Sequence, residues 1–196
     1  MTGIVVATTN VGKGREFQEI LGSVAEVIIP DNLPLVEENG ATLAENAYRK
    51  ARSAADFLGT VVVADDSGLF VTALGGAPGV HSARFSGPQG DDASNRAKLL
   101  EVLGNATDRS AYFETVLCVC SPSDSVGEAR YFHGRCDGYI TEKERGTHGF
   151  GYDPVFVPAE GDGRTFGEMT SGEKAALSHR ARAISKFKAF LAEGSQ

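Results

Sequence analysis

Apolar and polar positions alternate in short blocks over the first third of the chain. Residues 3–8 and 24–30 are apolar runs of strand length, and the segment 14–21 between them has the spacing of a helix. A second helix begins after Thr42, because Thr42 and Glu45 have the spacing of a capping box and apolar residues then recur on one face. This order predicts strand, helix, strand and helix.

A third apolar run, residues 60–64, predicts a buried strand that ends at an acidic turn, Asp65-Asp66. Beyond it the pattern predicts two more helices, at 91–103 and 173–191, and antiparallel strands at 112–120, 129–134, 136–140 and 154–157. Strands that first alternate with helices and then follow one another predict a mixed α/β fold with a cleft between two lobes. No repeat or composition break divides residues 1–196, so we expect one domain.

Composition narrows the function classes. The net charge of −7 disfavours a nucleic-acid partner, which needs a basic surface, but leaves room for a small anionic ligand in a locally basic pocket. Three cysteines make no disulfide framework and are expected as small core residues in a reduced compartment. The sequence shows no signal peptide and no apolar run of membrane-spanning length, so we expect a cytoplasmic protein without a membrane partner.

The segment Ala7–Lys13, with sequence ATTNVGK, leads from a strand into a helix. Such a turn aims backbone N–H groups and the positive end of the helix at one point, which suits a phosphate, and Lys13 adds a charge. It is not a Walker A loop, because Ala7 and Gly14 stand where that motif needs glycine and a hydroxyl residue. A plain capped turn is the alternative interpretation.

Two adjacent carboxylates, Asp65 and Asp66, follow the buried strand, and Ser67 and Gly68 come next. Buried carboxylates are costly unless a cation compensates them. Because neighbouring residues leave a strand in opposite directions, one acid can face a ligand while the other braces the turn. A hard cation such as Mg²⁺ fits the first role, whereas an ordinary Asp-Ser-Gly turn remains the alternative.

Three further segments carry candidate chemistry. Lys50 lies on the apolar face of the second helix, where it either snorkels to solvent or reaches an anion, while Glu45 has a structural role in the capping box. The loop 146–154, GTHGFGYDP, suits the stacking of a flat ring or is a mobile loop with core anchors. Lys174 and the run 178–180 are predicted on one helix, where they cluster around a ligand or form a solvated cationic face. Histidine spacing supports no metal site.

Taken together these segments resemble the inosine/xanthosine triphosphate pyrophosphatase family. The resemblance runs from about Ile4 to Phe187 and rests on ATTNVGK, ENAYRKA, ADDSGLFVTALGGAPGVHSARFSG, GFGYDPVF, FGEM and EKAALSHRARA in that order. It implies an elongated mixed-sheet fold of two lobes with a central substrate cleft, usually in a homodimer. It also implies Mg²⁺-dependent hydrolysis of non-standard purine nucleoside triphosphates (ITP, dITP, XTP) to the monophosphate and pyrophosphate.

The resemblance also assigns residues. Asp66 matches the catalytic acid and metal ligand, and one of Glu37 and Glu38, which the sequence leaves open, matches the second metal-binding carboxylate. The phosphate turn, which matches the triphosphate cradle, consists of Thr8, Thr9, Asn10, Val11, Gly12 and Lys13. The other substrate-binding positions are Lys50, Ser67, Phe150, Gly151, Tyr152, Asp153, Lys174, His179 and Arg180.

The expected mechanism is metal-assisted attack of water on the α-phosphorus. Asp66 orients or deprotonates the water, and Lys13, with Lys50, neutralises charge on the leaving pyrophosphate. Donors from His179 and Arg180, or backbone N–H groups near Phe150, favour a 6-oxopurine over adenine. Thr9 and Ala181 stand where many family members have glycine, which predicts altered kinetics rather than lost activity.

Two other functions remain open from the sequence. A nucleotide-binding sensor would need the phosphate turn but not the acidic pair, so Asp65 and Asp66 beside Glu37 and Glu38 count against it. A pyrophosphatase of the Maf type would act on modified pyrimidine nucleotides, and the GFGYD loop with the Ser-His-Arg run favours purines instead.

Overall fold

The computed structural model describes residues 3–88 and 90–193. The strands are β1 (Gly3–Val6), β2 (Glu26–Ile28), β3 (Val62–Val71), β4 (Pro78–Gly79), β5 (Ser110–Cys120), β6 (Arg130–Ile140) and β7 (Phe156–Pro158). The α-helices are α1 (Val11–Leu21), α2 (Leu43–Leu58), α3 (Asp92–Leu103), α4 (Ser171–Leu177) and α5 (His179–Glu193). Short 3₁₀ turns lie at Thr72–Leu74, Ser82–Arg84, Asp153–Val155 and Phe166–Glu168.

The strands form one mixed sheet in the order β2-β1-β3-β5-β6-β7, with β4 beside β3. β1 is parallel to β2 and to β3, as expected for strands joined through the crossover helices α1 and α2. β3 pairs antiparallel with β4, and β6 pairs antiparallel with β7. The prediction of a mixed α/β fold is therefore confirmed.

The described residues divide into two compact units. The first unit takes in residues 3–66, 115–134 and 180–193, and the second takes in residues 67–88, 90–114 and 135–179. Strands β3, β5 and β6 each contribute residues to both units. Throughout residues 3–88 and 90–193, each helix is too short or too polar to span a bilayer.

The first unit has two apolar clusters. One joins α1 and α5 to the strands, and it contains Phe17, Leu117 and Ile184. The other packs α2 against the strands through a row of alanines, Ala47, Ala51, Ala54 and Ala55, whose small side chains let the helix approach the sheet closely. α2 therefore holds its polar residues at a short distance from β3.

The second unit has one apolar cluster around three phenylalanines. Phe113, Phe156 and Phe166 are in contact, with ring centroids 4.7 Å apart for the first pair and 5.3 Å apart for Phe156 and Phe166. The loop 146–154 is anchored to this cluster through the buried Tyr152 and Val155. The cluster gives that loop a fixed base.

The predicted acidic turn is wrong: Asp65 and Asp66 lie inside β3, which continues to Val71. The strand continues because β4 pairs with it, Leu69 opposite Gly79. Gly68 permits this pairing, since a Cβ added there would lie 2.5 Å from the carbonyl oxygen of Gly79. The two acids therefore have a stiffer support than a turn would give.

The predicted final helix is wrong in one respect, because it is two helices. α4 ends at Leu177, and Ser178 has extended backbone angles (φ −69°, ψ 150°) before α5 begins at His179. Other boundaries also differ: the two predicted strands 129–134 and 136–140 are the single strand β6, and α1 begins three residues earlier than predicted. The helix starts early because the Asn10 side chain caps it.

Candidate active site

Asp65 and Asp66 contact different partners in the first unit. Asp65 Oδ2 lies 2.9 Å from Lys13 Nζ and accepts a 3.2 Å hydrogen bond from Arg180 Nε. Asp66 contacts two side chains of α2: Lys50 Nζ donates to Oδ1 at 2.8 Å, and Asn46 Nδ2 donates to Oδ2 at 3.2 Å. Successive strand residues face opposite ways, so the two acids have separate surroundings, as the sequence predicts.

Lys50 also joins Asp66 to one of the two candidate glutamates. Its Nζ lies 3.3 Å from Glu38 Oε1, so Glu38 and Asp66 share one ammonium group. Glu37 is exposed, and its Oε2 accepts from Asn39 Nδ2 at 3.5 Å. Of the two glutamates that the sequence left open, the structure therefore places Glu38 with Asp66.

Arg180 lies between two carboxylates. Its Nε donates to Asp65, and its other end donates to Glu16 of α1. The Arg180 side chain is 2 % exposed and that of Asp65 is 1 % exposed. This buried network links α5 to α1 and β3, and through Asp65 it reaches Lys13.

Burial and nearby charges act in opposition on the two acids. Burial raises the pKa of Asp66, and the nearby Lys50 and Lys13 do not reverse this, so its pKa lies above the ordinary value. Burial also acts to raise the pKa of Asp65, but Lys13 and Arg180 outweigh it and hold this pKa far below the ordinary value. Asp65 is thus a permanent anion within its network.

The pKa values of Lys13 and Lys50 also shift in opposite directions. Burial lowers the pKa of Lys13, and the attraction of Asp65 does not fully offset that effect. Burial acts to lower the pKa of Lys50 as well, but the neighbouring carboxylates, Asp66 first, outweigh it and the pKa lies above the ordinary value. Lys50 therefore stays a cation between Asp66 and Glu38.

The phosphate turn lies at the start of α1. Asn10 is its N-cap, and Oδ1 accepts from the Lys13 backbone N–H at 3.0 Å. Thr8 Oγ1 accepts from the Asn10 N–H at 3.2 Å, while Thr9 and Val11 are exposed. The side chain of Lys13 extends from this turn to Asp65, so the predicted cradle and the acidic strand are in contact.

In the second unit, Asp153 organises the loop 146–154. Its Oδ2 accepts from the Phe150 backbone N–H at 2.9 Å and from Lys174 Nζ at 2.6 Å. The ammonium of Lys174 also lies over the Phe150 ring, 4.6 Å from its centroid. Three predicted substrate-binding residues, Phe150, Asp153 and Lys174, are therefore brought together.

The loop backbone is held from α3. Asp92 Oδ2 accepts from the Gly151 N–H at 2.7 Å, and Arg96 donates to the Gly151 carbonyl oxygen at 2.9 Å. Gly149 has a φ of +75°, and a Cβ there would lie 2.0 Å from Asp153 Oδ2. The loop therefore has polar contacts with α3 in addition to its core anchors Tyr152 and Val155.

Tyr152, Ser67 and His179 are the other predicted substrate-binding residues of the second unit. The Tyr152 hydroxyl donates to the Ser82 carbonyl oxygen at 2.7 Å, and Ser67 is a half-buried residue of β3. His179 stacks on Phe113 with ring centroids 4.5 Å apart. His179 and Arg180 begin α5, whereas Lys174 lies on α4, so the prediction of one helix for these residues is wrong.

Several residues that contact the predicted site residues were not predicted from the sequence. Asn46, Glu16, Asp92 and Phe113 each hold a predicted site residue. One signal could have found Asn46, since it precedes Lys50 by four positions and therefore shares its helix face. The other three depend on contacts between elements distant in the sequence.

No cluster of three or more histidine, cysteine, aspartate or glutamate side chains with the geometry of a metal site occurs within residues 3–88 and 90–193. The pair Asp66 and Glu38 could hold a cation only together with ligands from outside the chain. Phosphate oxygens and water are such ligands for Mg²⁺.

Known proteins match this chain over nearly its whole length. The model of the Ham1 family matches residues 4–190. A dITP/XTP pyrophosphatase of Desulfotalea psychrophila is 50 % identical over 95 % of this chain and 83 % of its own. One of Bacillus licheniformis is 44 % identical over 97 % of this chain and 98 % of its own. The solved structure of the Staphylococcus aureus Ham1 protein is 40 % identical, with a TM-score of 0.84 and complete coverage of both chains.

Proposed function

The chain belongs to the Ham1 family, and on that basis we propose that it hydrolyses non-standard purine nucleoside triphosphates (ITP, dITP and XTP) to the monophosphate and pyrophosphate. Two of the relatives named above, those of Desulfotalea psychrophila and Bacillus licheniformis, are dITP/XTP pyrophosphatases, which supports this reaction. One structural observation supports placing the reaction at Asp66 and Glu38. The two carboxylates share the ammonium of Lys50, and they lie in the unit that also contains the phosphate turn. This pair is where we place the reaction.

We propose Mg²⁺ as the cofactor, held by Asp66 and Glu38. The residues fit this ion, because both supply the hard oxygen ligands that Mg²⁺ prefers and both already lie beside one cation, the ammonium of Lys50. Two carboxylates with phosphate co-ligands are a common Mg²⁺ arrangement. When bound, the ion would neutralise phosphate oxygens and favour attack at phosphorus.

The residues of the first unit then have distinct tasks. The turn Thr8–Lys13 binds the triphosphate through backbone N–H groups at the start of α1. Asp66 orients the attacking water and accepts its proton, while Lys13 and Lys50 balance the charge that develops on pyrophosphate. Asp65 keeps Lys13 in place through their 2.9 Å contact.

Base recognition is assigned to the loop 146–154 and its neighbours. The Phe150 ring offers a face for stacking, and Lys174 and His179 offer donors to the oxygen at C6 of hypoxanthine or xanthine. Adenine presents a donor at that position, and leaving a buried donor unpaired costs about 1–3 kcal/mol. Ser67, Gly151, Tyr152 and Asp153 complete the proposed contacts, with the Tyr152 hydroxyl fixing the loop through Ser82.

Arg180 is proposed as a further donor to the base. Its contacts with Asp65 and Glu16 give it a second task in the first unit, so Arg180→Ala is expected to lower turnover of every nucleotide. A role in base choice would also reduce the preference for ITP over ATP. An unchanged ratio of kcat/KM for the two nucleotides in Arg180→Ala would contradict that role.

We also propose a cytoplasmic homodimer that binds neither nucleic acid nor membranes. The net charge of −7 supports the absence of a nucleic-acid partner. Dimerisation rests on the family resemblance. Light scattering at micromolar concentration tests it, with a mass of twice 20.6 kDa expected.

A panel of nucleotides tests the reaction. The protein is incubated with Mg²⁺ and ITP, dITP, XTP, ATP, GTP or modified pyrimidine triphosphates, and pyrophosphate and orthophosphate are assayed separately. We expect pyrophosphate from the 6-oxopurine nucleotides, with inosine and xanthosine preferred. Release from pyrimidines alone would favour a Maf-type activity, and binding without release would favour a sensor.

A further inference from the structure

Asn46 is a fully buried polar residue of α2 whose side chain accepts one hydrogen bond and donates another. Its Oδ1 accepts from the Gly40 backbone N–H at 2.8 Å, and its Nδ2 donates to Asp66 Oδ2 at 3.2 Å. The partners fix the orientation of the amide, because a backbone N–H can only donate and a carboxylate accepts. A single side chain thus joins the backbone at residues 38–40, the Glu38 segment, to Asp66 of β3.

We propose that Asn46 is a positioning residue that sets Asp66 and Glu38 at their working separation. The inference rests on the proposed function, since it concerns the same two carboxylates. Gly40 follows Glu38 by two residues, so the contact with Asn46 fixes the backbone that carries Glu38. The contact with Asp66 fixes the other acid.

Helix α2 supplies the rigid frame for this link. Asn46 and Lys50 are one turn apart, and they contact the two different oxygens of Asp66. Lys50 also reaches Glu38, but its long side chain has many rotamers, whereas the short amide of Asn46 is buried and fixed. The amide therefore defines the geometry, and the ammonium balances the charge.

The packing around Gly40 shows how little room this link has. A Cβ added to Gly40 would lie 2.7 Å from Asn46 Oδ1 and 2.8 Å from the Cβ of Glu45. A methyl group there would push the Glu38 segment away from α2 while leaving the Asn46 side chain intact. Gly40→Ala therefore disturbs the same link from its other end.

Asn95 of α3 provides a matched control. It is also a buried asparagine, and its Oδ1 accepts from Ser86 N–H at 2.7 Å while its Nδ2 donates to the Ala83 carbonyl oxygen at 3.0 Å. These partners lie in the second unit, whereas Asp66 and Glu38 lie in the first. Asn95→Ala therefore removes a comparable buried amide without touching the acids.

The test compares the wild type with Asn46→Ala, Gly40→Ala and Asn95→Ala. It measures the thermal unfolding midpoint without metal, kcat and KM for dITP at saturating Mg²⁺, and the affinity for Mn²⁺ without nucleotide by electron paramagnetic resonance. Removing a group that orients metal ligands typically costs about 10–100-fold in metal affinity or activity. We expect losses of this size in kcat and in Mn²⁺ affinity for Asn46→Ala, a smaller loss for Gly40→Ala, and KM within about threefold for both.

Asn95→Ala should lower the unfolding midpoint comparably yet keep kcat and Mn²⁺ affinity within about twofold of the wild type. The inference is overturned if folded Asn46→Ala retains both values, or if Asn95→Ala loses them equally. If Asn46→Ala does not fold, Gly40→Ala decides in the same way. A wild type that binds Mn²⁺ but releases no pyrophosphate contradicts the proposed reaction alone, whereas a wild type that binds no Mn²⁺ overturns the present inference.

Discussion

Arg180 and Asp65 lie 115 positions apart in the sequence and are joined by a hydrogen bond of 3.2 Å from Nε to Oδ2. Both side chains are almost completely buried, and Glu16 accepts a hydrogen bond from the other end of the guanidinium group. A buried charge of this kind is tolerated because each member has a partner of opposite sign. The ion pair therefore couples the C-terminal helix to the strand that carries Asp66.

Asp65→Asn is expected to destabilise the protein by about 3 kcal/mol, because it leaves the buried charges of Arg180 and Lys13 poorly compensated. Urea denaturation at neutral pH measures the loss. Asp137→Asn is the control, since it breaks an exposed pair with Arg135 and should cost less than about 1 kcal/mol. Equal losses for the two substitutions would contradict the importance assigned to the buried network.

Gly149→Ala should destabilise the protein and weaken substrate binding. The residue has a φ of +75°, and its new Cβ would lie 2.0 Å from the Asp153 oxygen that holds Phe150 and Lys174. We expect about 3 kcal/mol of destabilisation and a rise in KM for dITP. Gly163→Ala is the control, with a φ of +90° and open space around it, so it reports the backbone strain of about 1–3 kcal/mol alone. An unchanged KM in folded Gly149→Ala would contradict the binding role of the loop.

Glu173→Gln tests a pH-dependent contact at the start of α4. Its hydrogen bond from Arg164, with the capping contacts of Thr170, lowers the pKa of Glu173 to about 2. A carboxylate with a lowered pKa stabilises the fold above its unfolded pKa of about 4.3, and this contribution is lost as the pH falls toward 2. The wild type should therefore have the higher urea midpoint at pH 6, and the difference should vanish near pH 2. A difference that grows on acidification would contradict this sign.

The sequence predicted the elements of the first unit well, because its strands and helices have clear apolar periods and α2 has a strong cap at Thr42. The strand β3 was cut short at Asp65, since two adjacent carboxylates indicate a turn unless cations compensate them. Those cations, Lys13, Lys50 and Arg180, come from three different helices. No local pattern could have shown that these side chains contact the two acids.

The break at Ser178 was missed for a related reason. The apolar period of 173–191 continues through it, and neither glycine nor proline marks the end of α4. In the structure His179 contacts Phe113, and Arg180 contacts Asp65 and Glu16. These partners are distant from α5 in the sequence. The composition of the loop 146–154 left open a ligand-binding segment or a mobile loop with core anchors, and its contacts with Asp92 and Arg96 were not visible in the sequence.

The three cysteines should react slowly in the native protein. Cys118, Cys120 and Cys136 are buried, and burial raises the pKa of Cys118 to about 12 and also raises that of Cys120. Only the thiolate is a good nucleophile, so a disulfide reagent at pH 8 should titrate three thiols after unfolding in guanidinium but few beforehand. Rapid reaction of all three in the native protein would contradict their burial.

We propose that Asp66 carries the chemistry of the reaction, whereas Asp65 holds Lys13 and Arg180 in place. The most direct test is the initial rate of pyrophosphate release from dITP with saturating Mg²⁺ by the wild type and Asp66→Asn, with the urea midpoint of each as a fold control. We predict a loss of about 10³-fold in Asp66→Asn with a cooperative unfolding transition retained. A folded Asp66→Asn protein that keeps more than about a tenth of the wild-type rate would rule out Asp66 as the catalytic acid, since a loss that small is less than removal of one catalytic group typically causes.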